Sequence, residues 1–278
     1  MSSRSNFTEL ENPCTRWFQW SGSEGTLSYY DKEKKENIPV TLPFRFMWLT
    51  SLHTVKGYVE GKGGVYANEV VDLSKQSLNV RINKESIALG LWKDIKDTTK
   101  ANGGKYAQST YIAYKDEEGN LRIGNIMFVG SSLAGGKHLI DKKTKAEIEL
   151  DGWMTFFSSR KSEISKGAVE ISLEERECTK GATKYRIPKF KIIALDPKTN
   201  ESAMTLDRQL QEYIIAYLSK TQSEIPQHTE VSKEEQSHND TIARNRAAVE
   251  TMAPLDNGGD FEPFGNPEIN DCVDQLPF

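Results

Sequence analysis

Trp17, Phe18, Trp20, Tyr29, Tyr30, Phe44, Phe46 and Trp48 all fall within residues 17–48, and Arg16, Lys32, Lys34, Lys35 and Arg45 are set among them. An unpaired nucleic-acid strand needs both kinds of group: aromatic faces on which bases stack, and cations along the phosphate path. Each stacked base contributes about 1–3 kcal/mol whatever its identity. The same rings also suit a β core, and for about half of them that use must hold. Strand alternation helps to sort them. Neighbours in Arg16-Trp17-Phe18-Gln19-Trp20 point to opposite faces, as do the adjacent Tyr29 and Tyr30. One member of each set is therefore expected outside, where a base could reach it.

The enzymatic motifs in the chain are incomplete. Gly130-Ser131-Ser132-Leu133-Ala134-Gly135-Gly136-Lys137-His138 resembles a phosphate-binding loop, but its glycine spacing is one residue too long. His138 also stands where a Mg²⁺-binding Ser or Thr belongs, so a flexible turn is expected there. Gly61-Lys62-Gly63-Gly64 reads as a loop without a fingerprint. The four histidines, 53, 138, 228 and 238, share no zinc-site spacing with the cysteines, and no nucleophile elbow is present. No catalytic residue, metal ligand or cofactor is expected. The carboxylates leave a metal-dependent nuclease or recombination enzyme open as an alternative.

Cys14, Cys178 and Cys272 are odd in number and far apart, which suits a reducing compartment better than a disulfide framework. Met1 to Pro13 has no apolar core of a secretory signal, and no apolar run reaches the roughly 18 residues that span a bilayer. A cytoplasmic protein without membrane contact is expected.

Charge divides the chain. Residues 221–278 carry three basic and twelve acidic side chains, a net of −9, whereas residues 1–220 carry 33 and 28, a net of +5. A basic body with an acidic appendage points to a polyanion partner or an interaction tail. Hydrophobic residues make up 37% of the chain and mean hydropathy is −0.60, low values that a polar tail diluting a normal core explains. Residues 254–278 hold six acids and no Lys, Arg or His. Such a stretch buries too little apolar surface to offset its ordering entropy, so a disordered acidic tail is expected over 221–278, after a body of residues 1–220. Asp271, Asp274, Leu276, Pro277 and Phe278 form a portable ligand at its tip: a ring for an apolar pocket, a carboxylate for a basic residue, and acids that steer encounter.

The body reads as mainly β. Cys14–Trp20 and Thr26–Tyr30 flank a Ser-Gly turn, Phe44–Leu49 and His53–Val59 form a second pair, and Ser77–Ile82 alternates as a half-buried strand does. Tyr106–Lys115 and Leu121–Val129 flank Asp116-Glu117-Glu118-Gly119-Asn120, a hairpin signal, and Ala168–Leu173 and Tyr185–Leu195 follow. Ile87, Leu91 and Ile95 predict a helix over 85–101. Leu206, Leu210, Tyr213, Ile214, Tyr217 and Leu218 predict another over 205–220, with Thr205 as its N-cap.

The chain's ending resembles the acidic tip of bacterial single-stranded DNA-binding proteins, which closes in Pro-Phe, although Gln275-Leu276 replaces the usual Asp-Ile. Asn12-Pro13-Cys14-Thr15-Arg16-Trp17-Phe18-Gln19-Trp20-Ser21-Gly22, Tyr29-Tyr30-Asp31-Lys32 and Leu42-Pro43-Phe44 are similar to phage proteins of that function. The resemblance implies an OB-fold, a five-stranded Greek-key barrel with a helix between its third and fourth strands, here with added strands and helices. It further implies coating of single-stranded DNA in phage replication or recombination, in the host cytoplasm. Arg16, Trp17, Trp20, Tyr29, Tyr30, Lys32, Lys34, Lys35, Arg45 and Trp48 would hold the strand, and the tip would recruit replication or recombination proteins. An RNA-binding protein, and a β-rich adaptor without nucleic-acid affinity, are the other readings.

Overall fold

The computed structural model describes residues 11–141, 146–174, 176–180 and 182–224. Residues 225–278, which hold most of the expected acidic tail and its expected docking tip, lie outside the described residues. The N-terminal meander comprises β1 (Arg16–Ser21), β2 (Thr26–Asp31) and β3 (Glu36–Pro39). Next come β4 (Phe44–Val59), β5 (Gly63–Ala67), β6 (Leu78–Ile82), β7 (Glu85–Gly90), helix α1 (Trp92–Ala101), β8 (Gly104–Lys115) and β9 (Leu121–Val129). The last part holds α2 (Ser131–Ala134), β10 (Gly135–Asp141), β11 (Ala146–Asp151), α3 (Trp153–Ile164), β12 (Ala168–Ile171), β13 (Glu177–Lys180), β14 (Thr183–Arg186), β15 (Phe190–Ile193) and α4 (Pro197–Glu224).

The chain is mainly β, and one large mixed sheet organises it in the order β3-β2-β1-β9-β8-β4-β5-β6-β7. Only the β1·β9 pair in this path is parallel; Phe18 lies beside Ile126 there. β4 is long enough to serve three neighbours. Phe46–Gly57 pair with β8, while Phe44–Phe46 pair with β12 and Lys56–Val59 pair with β5. β15 joins β12, and β10·β11 and β13·β14 form separate two-stranded ribbons.

Both faces of the central strands are covered, so β8 is buried from Ser109 to Tyr114 irrespective of alternation. On one face Phe18, Trp20, Phe46, Tyr114, Phe128 and Trp153 form the main core; Trp153, at the start of α3, stacks on Phe128 with ring centroids 4.8 Å apart. On the other face Leu210 and Ile214 of α4 pack against Cys14, Leu52, Tyr111 and Ile123. A third cluster, with Val55, Val65, Val80 and Ile82, lies under Ile95 of α1. Among the described residues, no helix is long and apolar enough to cross a membrane.

The hairpins expected at Ser21–Gly25 and Asp116–Asn120 form in place, with Ser21 opposite Thr26 and Lys115 opposite Leu121. Several other expectations need correction. Phe44–Leu49 and His53–Val59 are one strand, because Thr50-Ser51-Leu52 contains no Gly, Pro, Asn or Asp to turn the chain and β8 pairs with both halves. A bulge between Trp48 and Thr50 accommodates the extra residue, Leu49. The helix expected over 85–101 starts only at Trp92. Asn83 (φ 49°) and Lys84 (φ 73°) make a two-residue turn that folds 85–90 back as β7. The last helix begins eight residues before Thr205, at Pro197. The Asp196 carboxylate accepts from the Thr199 N–H at 3.1 Å, and Pro197 takes the first helical position, where its missing N–H costs nothing. Thr205 is therefore interior to α4, which also runs through the expected boundary after residue 220. The segment expected as a flexible turn at 130–138 holds α2 and the start of β10. Tyr185–Leu195 is split into β14 and β15 around Pro188.

Candidate nucleic-acid interface

The structure separates the aromatic and basic residues of the first segment. Phe18 and Trp20, two apart in β1, share a face and are 1% and 6% exposed. Trp20 Nε1 donates to the Arg186 carbonyl at 2.9 Å, so Trp20 is a core residue with no face for a base, which corrects its assignment to binding. Tyr29 packs edge-on against Phe18 and carries the Arg16 guanidinium 4.2 Å from its ring centroid. Arg16 is also forked on the Glu117 carboxylate at 2.6 and 2.8 Å, and Arg45 Nε is 2.8 Å from the Glu170 carboxylate. Those two cations are already paired. Trp17 points to the opposite face of β1, packs among the residues under α4 and has Lys32 Nζ 6.0 Å from its ring. Tyr30, Lys34 and Lys35 are exposed, the two lysines in the β2–β3 turn.

Among the expected residues, Trp48 joins a partly exposed set of rings supplied by β4, β8, α1 and α3. The bulge at Leu49 places Trp48 and Ser51 on the same side of β4, and Trp48 Nε1 donates to Ser51 Oγ at 3.0 Å. Continuing by alternation, Ser51, His53 and Val55 stand opposite Thr110, Gln108 and Tyr106 of β8. Phe157 of α3 closes one end of this strip, its ring 4.9 Å from Trp48. Trp92 of α1 closes the other, 5.9 Å from Tyr106. Trp48, His53, Trp92, Tyr106 and Phe157 are all partly exposed, unlike the core rings beside them. The run from Trp48 to Val55 covers about 20 Å at the usual strand rise, long enough for a few nucleotides.

The floor of the strip is polar and well ordered. Ser51 Oγ and Thr110 Oγ1 are 3.1 Å apart, and His53 Nδ1 and Tyr106 Oη share a 2.6 Å hydrogen bond. Burial holds the His53 imidazole below its ordinary pKa, against a smaller opposing pull from Asp72. The ring is therefore held neutral, able to stack. Burial likewise raises the Tyr106 phenol, which keeps its proton. Gln108 Oε1 is buried and meets no donor among the described residues. A buried acceptor left open costs about 1–3 kcal/mol. Lys161 Nζ, 6.0 Å from the Phe157 ring, supplies a cation at one end.

A cavity of about 320 Å³ beside α3 is lined by Phe156, Arg160, Arg176, Lys189 and Phe190, among others. Its cations are partly engaged: Lys189 pairs with Glu174, and Arg176 donates to the carbonyls of Asp151 and Pro188 at 3.3 Å. Among the described residues no group of three His, Cys, Asp or Glu stands together as a metal site.

His53, Trp92, Tyr106 and Phe157 lie outside residues 17–48, where the aromatic and basic residues are concentrated. A signal for one pair existed: Tyr106, Gln108 and Thr110 alternate with small residues, a polar face within a strand otherwise rich in apolar groups. Trp92 and Phe157 lie on helices, and only the tertiary fold brings them to the strip. No family model, curated protein or solved structure matches the chain.

Proposed function

We propose that the protein binds single-stranded DNA, largely without regard to sequence, and acts without catalysis as a coating protein of phage replication or recombination. The observation that carries this reading is the strip of half-buried rings, Trp48, His53, Tyr106 and Trp92, laid over a polar floor on β4 and β8. Rings exposed on one side and fixed on the other lose little entropy when a base stacks on them. A double-stranded ligand keeps its bases stacked inside, so such a strip suits an unpaired strand. The order of elements supports the OB-like form of the reading. β4, β5 and β6 are followed by α1 and then by the β8·β9 hairpin, with β8 returning to pair with β4. A five-stranded barrel with its helix between the third and fourth strands would use that succession with β7 inserted, although here the sheet is an open path in which β9 pairs with β8 and β1. The acidic segment 221–278 would recruit replication or recombination enzymes through Asp271, Asp274, Leu276, Pro277 and Phe278.

Fluorescence-anisotropy titration with labelled oligo-dT at several salt concentrations tests the reading. Affinity should fall linearly with log salt, by about 0.7 per neutralised phosphate, and tryptophan emission should quench. Tighter binding of an RNA of equal sequence would make the protein an RNA binder, and degradation of the strand on adding Mg²⁺ or Mn²⁺ would make it a nuclease. Absence of binding at low salt sinks the reading.

A further inference from the structure

On the face of the sheet opposite the strip, Lys56 of β4 stands directly across from Lys105 of β8. Lys56 is in turn opposite Tyr66 of β5, and Tyr66 is opposite Arg81 of β6. Cross-strand partners share a face, so the four side chains form one row across four strands. Like charges directly opposite one another destabilise a sheet, and here both ammonium groups are also partly buried. Among the described residues, no carboxylate lies within ion-pair distance of Lys56, Lys105 or Arg81. Burial alone lowers the pKa of each lysine, with no acid pulling the other way. Tyr58, two residues beyond Lys56 on the same face, is 42% exposed.

The row is also within reach of the strip. Pairing of β8 with β9 stops at Ala107 opposite Val129, which leaves Gly104–Tyr106 as sheet edge on that side. Tyr106, at the end of the strip, and Lys105, at the start of the row, are consecutive residues on the two faces of that edge.

We propose that Lys105, Lys56, Tyr66 and Arg81 form a second track, a phosphate-binding row that takes the backbone of the strand after it leaves the strip around the edge of β8. The anion supplies the negative charge that the facing lysines lack, and Tyr66 offers a ring between cations. This inference rests on the single-strand reading above for the identity of the polyanion, but the phosphate chemistry can be tested without it.

Lys56→Gln, Lys105→Gln and the double variant are compared with the full-length parent in two measurements. In the first, oligo-dT affinity is followed against salt. Loss of two phosphate contacts should flatten the slope by about 1.4 and weaken binding about 25-fold at 0.1 M salt. In the second, thermal unfolding is followed with millimolar pyrophosphate against NaCl of equal ionic strength. Pyrophosphate should raise the parent's Tm more than that of the double variant, and each single variant without ligand should melt no lower than the parent, because a repulsion has been removed. Lower Tm in the single variants, with an unchanged salt slope and no pyrophosphate effect, would mean the lysines are structural and overturn the proposal. If oligo-dT fails to bind the parent while pyrophosphate stabilises it as expected, the phosphate row stands as an anion site and the single-strand track falls. Binding of oligo-dT by all variants with one common slope removes the row and leaves the strip.

Discussion

His53 Nδ1 lies 2.6 Å from Tyr106 Oη, and the two rings stack with centroids 5.8 Å apart and planes 29° from parallel. The pair joins β4 to β8 on the strip face and sets two neighbouring surfaces at one height. Because burial holds the folded imidazole below 6.5, the unfolded chain takes up the proton first as pH falls. Stability contributed by the neutral ring is therefore present above about pH 6.5 and is lost as pH falls toward the lower folded pKa. The urea midpoint of the parent minus that of His53→Gln should rise with pH between 5 and 8, because that difference isolates the His53 contribution. A parallel pH profile in parent and variant would show that His53 does not titrate in the transition.

Stacking and core tryptophans should separate by readout. Trp92→Ala should weaken oligo-dT binding by about 1–3 kcal/mol, roughly 5- to 150-fold, with only a small change in Tm. Trp20→Ala, which empties a buried site and orphans the Arg186 carbonyl, should cost about 3–5 kcal/mol of stability. Equal effects of the two substitutions on binding and on melting would contradict the division of the rings between strip and core.

How far the residues announce this arrangement depends on how local the physics is. The turns at Ser21–Gly25 and Asp116–Asn120 are legible because glycine and Asx chemistry fixes them within a few residues. Trp48 was legible as a candidate but its company was not. Its strip-mates His53 and Tyr106 meet across strands 53 residues apart in sequence, and Trp92 arrives only because Asn83-Lys84 turns the chain into β7 where periodicity suggested helix. Arg16 and Arg45 looked like phosphate ligands because composition does not reveal that Glu117 and Glu170 fold against them.

Glu69 links β5 and β6 to the layer beneath α4. Its carboxylate accepts from Tyr111 Oη at 2.9 Å, and its backbone N–H donates to Tyr217 Oη of α4 at 3.0 Å. Burial raises its pKa, with the hydrogen bonds from Ser109 and Tyr111 opposing the shift. The same surroundings push the Tyr213 phenol up to about 12. For a carboxyl raised in the folded state, the native protein binds more protons than the unfolded chain from about pH 4.5 up to the raised folded pKa, so the Glu69 contribution to stability declines as pH rises through that window. Glu69→Gln keeps an acceptor for Tyr111 and removes the buried charge. It should flatten the decline and leave the protein at least as stable at pH 8; a large loss of stability there would show that the carboxylate itself is required.

The last prediction follows from the division of charge between a +5 body and a −9 segment over 221–278. An acidic segment tethered to a basic surface meets it at high effective concentration, set by the length of the connection. It should compete with DNA phosphates, and most strongly where salt screens least. Removing residues 254–278 takes away six carboxylates and no Lys, Arg or His. Their sequence carries no helical or strand pattern. The shortened protein should therefore melt with the parent and bind oligo-dT more tightly at 0.02 M salt, the two affinities converging as salt is raised. It should also lose its enzyme partners, and removal of Phe278 alone should separate the effects, weakening partner binding while DNA affinity hardly changes. Equal DNA affinity at every salt concentration, together with unchanged partner recruitment, would reduce the segment to a solubilising appendage and leave the lysine row and the strip to account for binding alone.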